Sequence, residues 1–373
     1  VTKEDSSKSP RSYRQSFSIE SLLDAFACCR KNKSFKRDVI EFELDLGTNL
    51  VELARELDNH TYEIGRYKQF YVYEPKKRQI ECLPYRDRVV LMALCRNILE
   101  PAFDGRLLDC NVACRGGKGI MYAIEMLEDI LQGHFEKHGT SGWFLKCDIQ
   151  KYFASINHEV LYGLLCKFDF DADTMKLLRK IIKSHNANTG TGLPIGNQTS
   201  QWLALLMLHP VDVLISKELG LNYIRYMDDF ILIHHDKRVL LDALDRIKAL
   251  LSRLKLVLNN KTQIIPMSQG VDFLGFRHRL DQFGRVERPL RQQAQNRLRR
   301  NLRELMHRYK CGKIDANFVE VRLCCYLSFM LHSKAAVQYY RRTIAKSKDK
   351  KLIQKIIANS RIDILREKLQ KPQ

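Results

Sequence analysis

No stretch of the 373 residues stays apolar for the roughly 18 positions that a membrane-spanning helix requires, so a bilayer span is not expected. The opening VTKEDSSKSPRSYRQS lacks the basic-then-apolar run of an export signal, which points to a cytoplasmic protein. It starts at Val1, so a start methionine or more is expected to precede it. Paired cysteine motifs are missing as well. The 11 cysteines are odd in number and include no C-x-x-C pair to seed a zinc site, which leaves reduced, mostly buried thiols. Acidic residues are in short supply, with 43 Asp and Glu against 63 Lys and Arg, a net charge of +20. Three quarters of that excess lies in Asp281–Gln373, where 23 basic residues face 8 acidic ones. Such asymmetry predicts a polyanionic partner. A hydrophobic content of 45% is enough for a sizeable core and two or three subdomains.

Residues 1–18 are charged and Ser-rich at their start and are expected to form a mobile tail. Helical spacing begins at Ile19 (Leu22, Leu23, Phe26) and recurs around Leu50, Val51, Leu53 and Leu57. Tyr67 to Ile80 alternates and turns at Glu74-Pro75, a strand leaving into a basic loop. The middle of the chain is the most readable. Trp143 to Cys147 is a short apolar strand ending at Asp148, with helical patterns following at His158 to Lys167 and Ala172 to Ser184. The strands Tyr223 to Tyr226 and Phe230 to Ile233 flank a tight turn, Met227-Asp228-Asp229. Leu240, Leu241, Leu244, Ile247, Leu251 and Leu254 mark one helix face, and Leu256–Leu258 with Thr262–Ile265 read as a hairpin-like pair around Asn259-Asn260-Lys261. The order strand, helices, strand, strand, helix, strand is the ferredoxin-like split βαβ.

That order brings Asp148, at the end of one strand, beside Asp228 and Asp229 at the tip of the next two. Converging carboxylates repel unless a cation sits among them, and hard oxygen donors suit Mg²⁺. Two such ions can drive in-line nucleotidyl transfer. An Asp-Asp pair in a tight turn also occurs simply because Asp tolerates turn geometry. Arg115-Gly116-Gly117-Lys118-Gly119 offers backbone amides and two cations, Arg115 and Lys118, suited to template phosphates. From Arg285 to Lys310, Leu290, Leu298, Leu302 and Leu305 recur on one side of an Arg-rich helix, whose Arg297 and Arg300 suit a nucleic-acid backbone.

Tyr226-Met227-Asp228-Asp229 resembles the Y-x-D-D box of reverse transcriptases. Three further stretches resemble other boxes of that family in the same order: Asp148-Ile149-Gln150-Lys151-Tyr152-Phe153-Ala154-Ser155-Ile156, Lys261-Thr262-Gln263, and the primer-grip-like Val271-Asp272-Phe273-Leu274-Gly275-Phe276. In Leu193-Pro194-Ile195-Gly196-Asn197-Gln198-Thr199-Ser200-Gln201, Ile195 stands where most relatives have Gln, and Gln201 where they have Pro. This variant resembles the bacterial reverse transcriptases of diversity-generating retroelements, within the superfamily of group II intron and retron enzymes.

The resemblance implies an α+β right-hand polymerase with a ferredoxin-like palm, mixed fingers and a helical thumb. The divisions would be the tail 1–18, fingers with a helical extension 19–142, palm 143–268, and primer grip and basic thumb 269–373. Two Mg²⁺ ions, with Mn²⁺ as a substitute, would be held by Asp148, Asp228, Asp229 and the main chain of Ile149. Arg78 and Lys76 would clamp the incoming triphosphate, Phe153 would exclude ribose, Lys261 would serve the pyrophosphate, and Ile195, Gly196 and Gln201 would face the forming base pair. Tyr226, Met227, Leu274 and Gly275 would touch primer or template. Partners would be a structured non-coding template RNA, the RNA–DNA hybrid, dNTPs and a small basic, pentameric accessory protein. Two alternatives stay open: an anti-phage defence enzyme copying a non-coding RNA, and a non-catalytic maturase-like RNA-binding protein.

Overall fold

A computed structural model describes residues 10–73, 77–186, 188–360, 362–365 and 367–368. Among them the chain divides into two compact units: one takes in the residues up to Gly119, Cys147–Leu232 and Arg238–Gln263, and the other takes in Ile120–Lys146, Ile233–Lys237 and the residues from Ile264 onward.

In the first unit, residues 10–18 depart from the expected tail. Ser12 caps a turn of helix, Tyr13–Ser16, and the Tyr13 hydroxyl donates to the Leu57 carbonyl at 3.0 Å. Tyr13 and Phe17 are buried, and this aromatic anchor outweighs the polar composition around it. The helices Ile19–Arg30 and Leu46–Asp58 form as their apolar spacing predicts: Leu22, Phe26, Leu50, Leu53 and Leu57 are buried, while Leu23 and Val51 face outward. Next comes a hairpin of β1 (Lys68–Val72) and β2 (Arg78–Cys82), antiparallel with Val72 opposite Arg78. The sequence reading found the outgoing strand and missed the returning one, because Arg78-Gln79-Ile80-Glu81 carries little apolar signal.

The central sheet contains β3 (Trp143–Asp148), β4 (Asn222–Tyr226), β5 (Asp229–His234) and β6 (Gln263–Pro266) in the order β4-β5-β3-β6. The first strand of the motif thus lies between its third and fourth, as a ferredoxin-like split βαβ requires. The helix Lys237–Arg253 buries Leu240, Ala243, Ile247 and Leu251. The pairing expected between Leu256–Leu258 and Thr262–Ile265 is not formed. Leu258 instead bridges Ile149, and Gln150 donates its N–H to the Val257 carbonyl at 2.9 Å, so the segment lies against the end of β3. Backbone groups at a strand end must find partners, and the stretch around Asn259 supplies them for Asp148.

The second unit holds a small antiparallel sheet, β7 (Val271–Phe273), β8 (Phe276–Leu280) and β9 (Val286–Glu287), with the helices Gln292–Lys310, Ala316–Met330, Lys334–Ala345 and Lys350–Ala358. Leu298, Leu302, Leu305 and Met306 of the Arg-rich helix join Leu323, Leu327, Tyr340 and Ile353 in one core, each burial contributing about 2 kcal/mol before entropic costs. Arg297 and Arg300 stay exposed on that helix. The β7–β8 turn is Leu274-Gly275, both left-handed, and a Cβ at Gly275 would meet the Phe329 ring at 2.6 Å. Only glycine fits there. No helix among the described residues is long and apolar enough to cross a membrane.

Candidate active site

Asp148 ends β3 with its carboxylate half-buried. Asn259 holds it twice: the Asn259 N–H donates to the Asp148 carbonyl at 2.7 Å, and Asn259 Nδ2 donates to Asp148 Oδ2 at 3.0 Å. Side chain and main chain are therefore both oriented by one residue, Asn259, which the sequence pattern places only at a turn. The adjoining Ile149 side chain is buried, so its main-chain oxygen is the donor it can offer a metal.

Between β4 and β5 the chain turns at Met227, whose φ of 58° is left-handed. Asp228 follows it and Asp229 opens β5. Burial pushes the Asp228 carboxyl up to about 6; the charges of Asp148 and Asp229 push the same way, while its own backbone N–H and the Arg78 guanidinium oppose them. The three acids are thus brought to one place, and Arg78 of β2 lies within electrostatic reach of it. Among the described residues no group of three or more His, Cys, Asp or Glu side chains is placed to hold a metal ion by itself. Partly buried, mutually repelling carboxylates with main-chain oxygen nearby match the needs of Mg²⁺, which keeps positions for water and phosphate.

Beneath the turn is a residue the sequence reading missed. The Arg225 and Asp212 side chains are both 0% exposed and pair directly, Nε to Oδ1 at 2.6 Å and Nη2 to Oδ2 at 2.5 Å. Burial opposes the Arg225 charge, but the Asp212 carboxylate outweighs it and raises the pKa above the ordinary arginine value. Tyr223 adds its hydroxyl to Asp212 at 2.9 Å, and Arg225 Nη1 donates to the Met227 carbonyl at 2.9 Å. The available signal was a lone charge inside the apolar run Tyr223 to Tyr226.

The segment expected to read the base pair is tied to its neighbours through main-chain bonds. Leu193 N–H donates to the Phe153 carbonyl at 2.8 Å, and Glu81 N–H donates to the Ile195 carbonyl at 3.0 Å. At Gly196, φ is 142° and a Cβ would stand 2.6 Å from the Glu81 carbonyl oxygen, so glycine permits the close approach to β2. Asn197, buried, donates to the Tyr67 hydroxyl at 3.3 Å. Ile195 and Phe153 are partly exposed, and Gln201 is exposed on the helix Gln198–Met207. Lys261 is exposed and donates its N–H to Asn259 Oδ1 at 3.1 Å. Lys76 lies outside the described residues.

The expected phosphate grip is corrected. Arg115 is 7% exposed, and its guanidinium donates to Asp104 Oδ1 at 2.6 Å, to the Asp104 and Leu108 carbonyls at 2.8 Å, and to the Asn111 carbonyl at 3.2 Å. A cation whose donors are used inside the fold is not presented to a template. Lys118 Nζ is likewise paired, with Asp109 Oδ1 at 2.8 Å. Met227 Sδ lies 4.0 Å from Cys114 Sγ, and Tyr226 is half-buried beside them.

Residues 74–278 match the family described as reverse transcriptase (RNA-dependent DNA polymerase), more than half of the chain. The chain belongs to this family and has its α+β right-hand polymerase fold with a ferredoxin-like palm. Enzymes of the family generally use divalent ions such as Mg²⁺. A curated relative, Protein YkfC of Escherichia coli (strain K12), is 26% identical over 251 residues, which cover 55% of this chain and 65% of YkfC. The chain therefore spans just under two thirds of that relative's length. Solved structures with partial similarity include a telomerase from Candida albicans in complex with a telomeric RNA fragment (TM-score 0.46, 12% identity, 84% of this chain and 66% of that one). An apo telomerase from Candida tropicalis truncated from its C-terminal domain gives a TM-score of 0.41 at 13% identity, covering 60% of this chain and 54% of the other.

Proposed function

We propose that this reverse transcriptase copies a dedicated structured RNA into DNA with frequent errors opposite adenine, as the polymerase of a diversity-generating retroelement. The observation that carries the reading is Ile195: an aliphatic side chain, partly exposed, on a backbone pinned to both Phe153 and β2. An aliphatic group cannot hydrogen-bond a forming base pair as Gln does, so a mispair loses less there relative to a correct one.

When bound, two divalent ions, Mg²⁺ or Mn²⁺ in its place, supply Lewis-acid activation of a primer hydroxyl and neutralise charge on the leaving pyrophosphate. Asp148 and Asp228 hold them, with the Ile149 carbonyl as a further donor and Asp229 in support. Arg78, with Lys76 beside it, receives the triphosphate through a guanidinium fork that matches phosphate oxygens. Lys261 offers a proton toward pyrophosphate. The Phe153 ring occupies the space that a ribose 2′-hydroxyl needs, while Gly196 and Gln201 border the base pair. Tyr226 and Met227 lie against the primer end. In the second unit, Leu274-Gly275 forms the primer-grip turn, and Arg297 and Arg300 follow the RNA–DNA hybrid by salt-dependent contacts. The divisions are a fingers region 19–142, a palm 143–268 and a primer grip and thumb 269–373, working in the cytoplasm with a small basic, pentameric accessory protein.

The test is primer extension on an RNA template of mixed sequence, with sequencing of the product. Wild-type enzyme is expected to misincorporate mainly opposite adenine, and Ile195→Gln is expected to cut that error rate about tenfold. An unchanged spectrum would remove the mutagenic reading and leave the defence-associated alternative standing.

A further inference from the structure

The pair Arg225–Asp212 is costly to build. A guanidinium and a carboxylate at 0% exposure have both lost their water, and apolar side chains of similar size usually stabilise a core as well or better. Such a pair makes sense where direction, not stability, is what the fold needs.

Arg225 has four kinds of tether: three fix it to its surroundings and the fourth reaches the Met227 turn. Its Nε and Nη2 are fixed by Asp212, itself held by the Tyr223 hydroxyl; Nη2 also donates to the Leu205 carbonyl at 3.3 Å. Its remaining nitrogen, Nη1, reaches the Met227 carbonyl at 2.9 Å. Its main chain is clasped by a loop on the other side: Arg225 N–H donates to the Cys110 carbonyl at 2.8 Å, and Val112 N–H donates to the Arg225 carbonyl at 3.0 Å. That loop is in turn held by Arg115 through the Leu108 and Asn111 carbonyls. Met227 adopts the left-handed conformation that a non-glycine residue avoids, so its turn depends on outside contacts to keep its shape.

We propose that Arg225 is a positioning residue: held by Asp212, it fixes the Met227 carbonyl and so sets the direction in which Asp228 presents its carboxylate to the divalent ions. The inference rests on the reading of Asp228 as an ion ligand. A lysine cannot replace the fork, because it has a single nitrogen and cannot span Asp212 and the Met227 carbonyl in the same fixed geometry.

Replacing the pair together, Asp212→Leu with Arg225→Leu, removes both charges and leaves no buried ion. The full-length double variant and wild type are compared by thermal melting, template–primer affinity, Mn²⁺ titration followed by electron paramagnetic resonance, and steady-state kcat and KM for dNTP. The variant is expected to melt cooperatively, to bind template–primer within about twofold of wild type, to bind Mn²⁺ about 10-fold more weakly and to lose about 10²-fold in kcat with little change in KM. A folded double variant with wild-type Mn²⁺ affinity and kcat would overturn the proposal. Should it fail to fold, Arg225→Lys, which keeps a cation beside Asp212, is put through the same four measurements. Its expected signature is the same loss of Mn²⁺ affinity and kcat, and wild-type values there would overturn the proposal equally. Asp228→Ala, run alongside, separates the two levels: if it keeps Mn²⁺ binding and synthesis, the ion-ligand reading itself is wrong.

Discussion

The Met227 turn and the β1–β2 hairpin belong to the same compact unit and are built on opposite principles. The turn sits between strands whose central residues, Tyr223 to Arg225 and Phe230 to Ile233, are buried, and a fully buried arginine fastens its backbone. The hairpin is exposed along all of β1 and at Arg78, where β2 begins; it is tied to the rest of the unit farther along β2, at Glu81, whose N–H donates to the Ile195 carbonyl and whose carboxylate pairs with His185. On the roles proposed above, the atoms that would hold ions are over-determined, and the groups that would receive and release a nucleotide are left to solvent.

The largest effect is expected at the fixed end: Asp228→Ala should reduce DNA synthesis by about 10³-fold or more while sparing template–primer affinity, measured by extension and by filter binding. At the adjustable end, Arg78→Ala should raise KM for dNTP by about 10- to 100-fold and change kcat much less, since the role proposed for the arginine is in binding. Equal losses in kcat from both would erase the distinction.

The pH response comes next. Folded Asp228 titrates near 6, above the ordinary value of 3.8, so it holds its proton more tightly than the unfolded chain does. The metal-free protein therefore loses stability as pH rises from about 4 to 6, and that loss is complete above 6. On the ion-ligand role proposed for Asp228, divalent ions would remove the penalty by binding the ionised form. Apparent Mg²⁺ affinity should consequently fall about tenfold per pH unit below 6, and the Mg²⁺-induced rise in Tm should be greater at pH 7 than at pH 5. A Tm rise independent of pH would count against the assignment. Smallest of all, Phe153→Ala should relax rejection of ribonucleotides by about 10-fold, read from paired dNTP and rNTP incorporation; continued strict rejection would remove Phe153 from the gate.

Much of this architecture could be read from the residues. The apolar run Trp143 to Cys147 stopping at Asp148, and the two apolar strands around Met227-Asp228-Asp229, gave the palm strands and the three acids because burial imposes a hydrophobic signal on them that only Lys146 and Arg225 interrupt. Leucine spacing gave the helix Lys237–Arg253 within a few residues of its ends and the far end of Gln292–Lys310, but not its start: Leu290 precedes that helix and bridges Phe276 instead. What escaped was pairing between distant polar residues. Nothing local says that Asn259 will orient Asp148, that Arg225 will find Asp212 in the helix His209–Val213, or that Arg115 will turn inward to Asp104. An arginine in a glycine-rich loop reads as a phosphate ligand, and only the fold reveals that its donors are already used. Tyr13 escaped for the opposite reason, a single aromatic anchor in a stretch whose average is polar.

The hydrogen bond from Leu193 to the Phe153 carbonyl carries a further consequence. On the roles proposed above, it couples the side chain that screens the sugar to the loop that screens the base, through one rigid amide. A shift of either segment would then be felt by both selectivities. Variants chosen for greater accuracy should show altered tolerance for ribose, and those chosen for a looser sugar filter should drift in their choice of base.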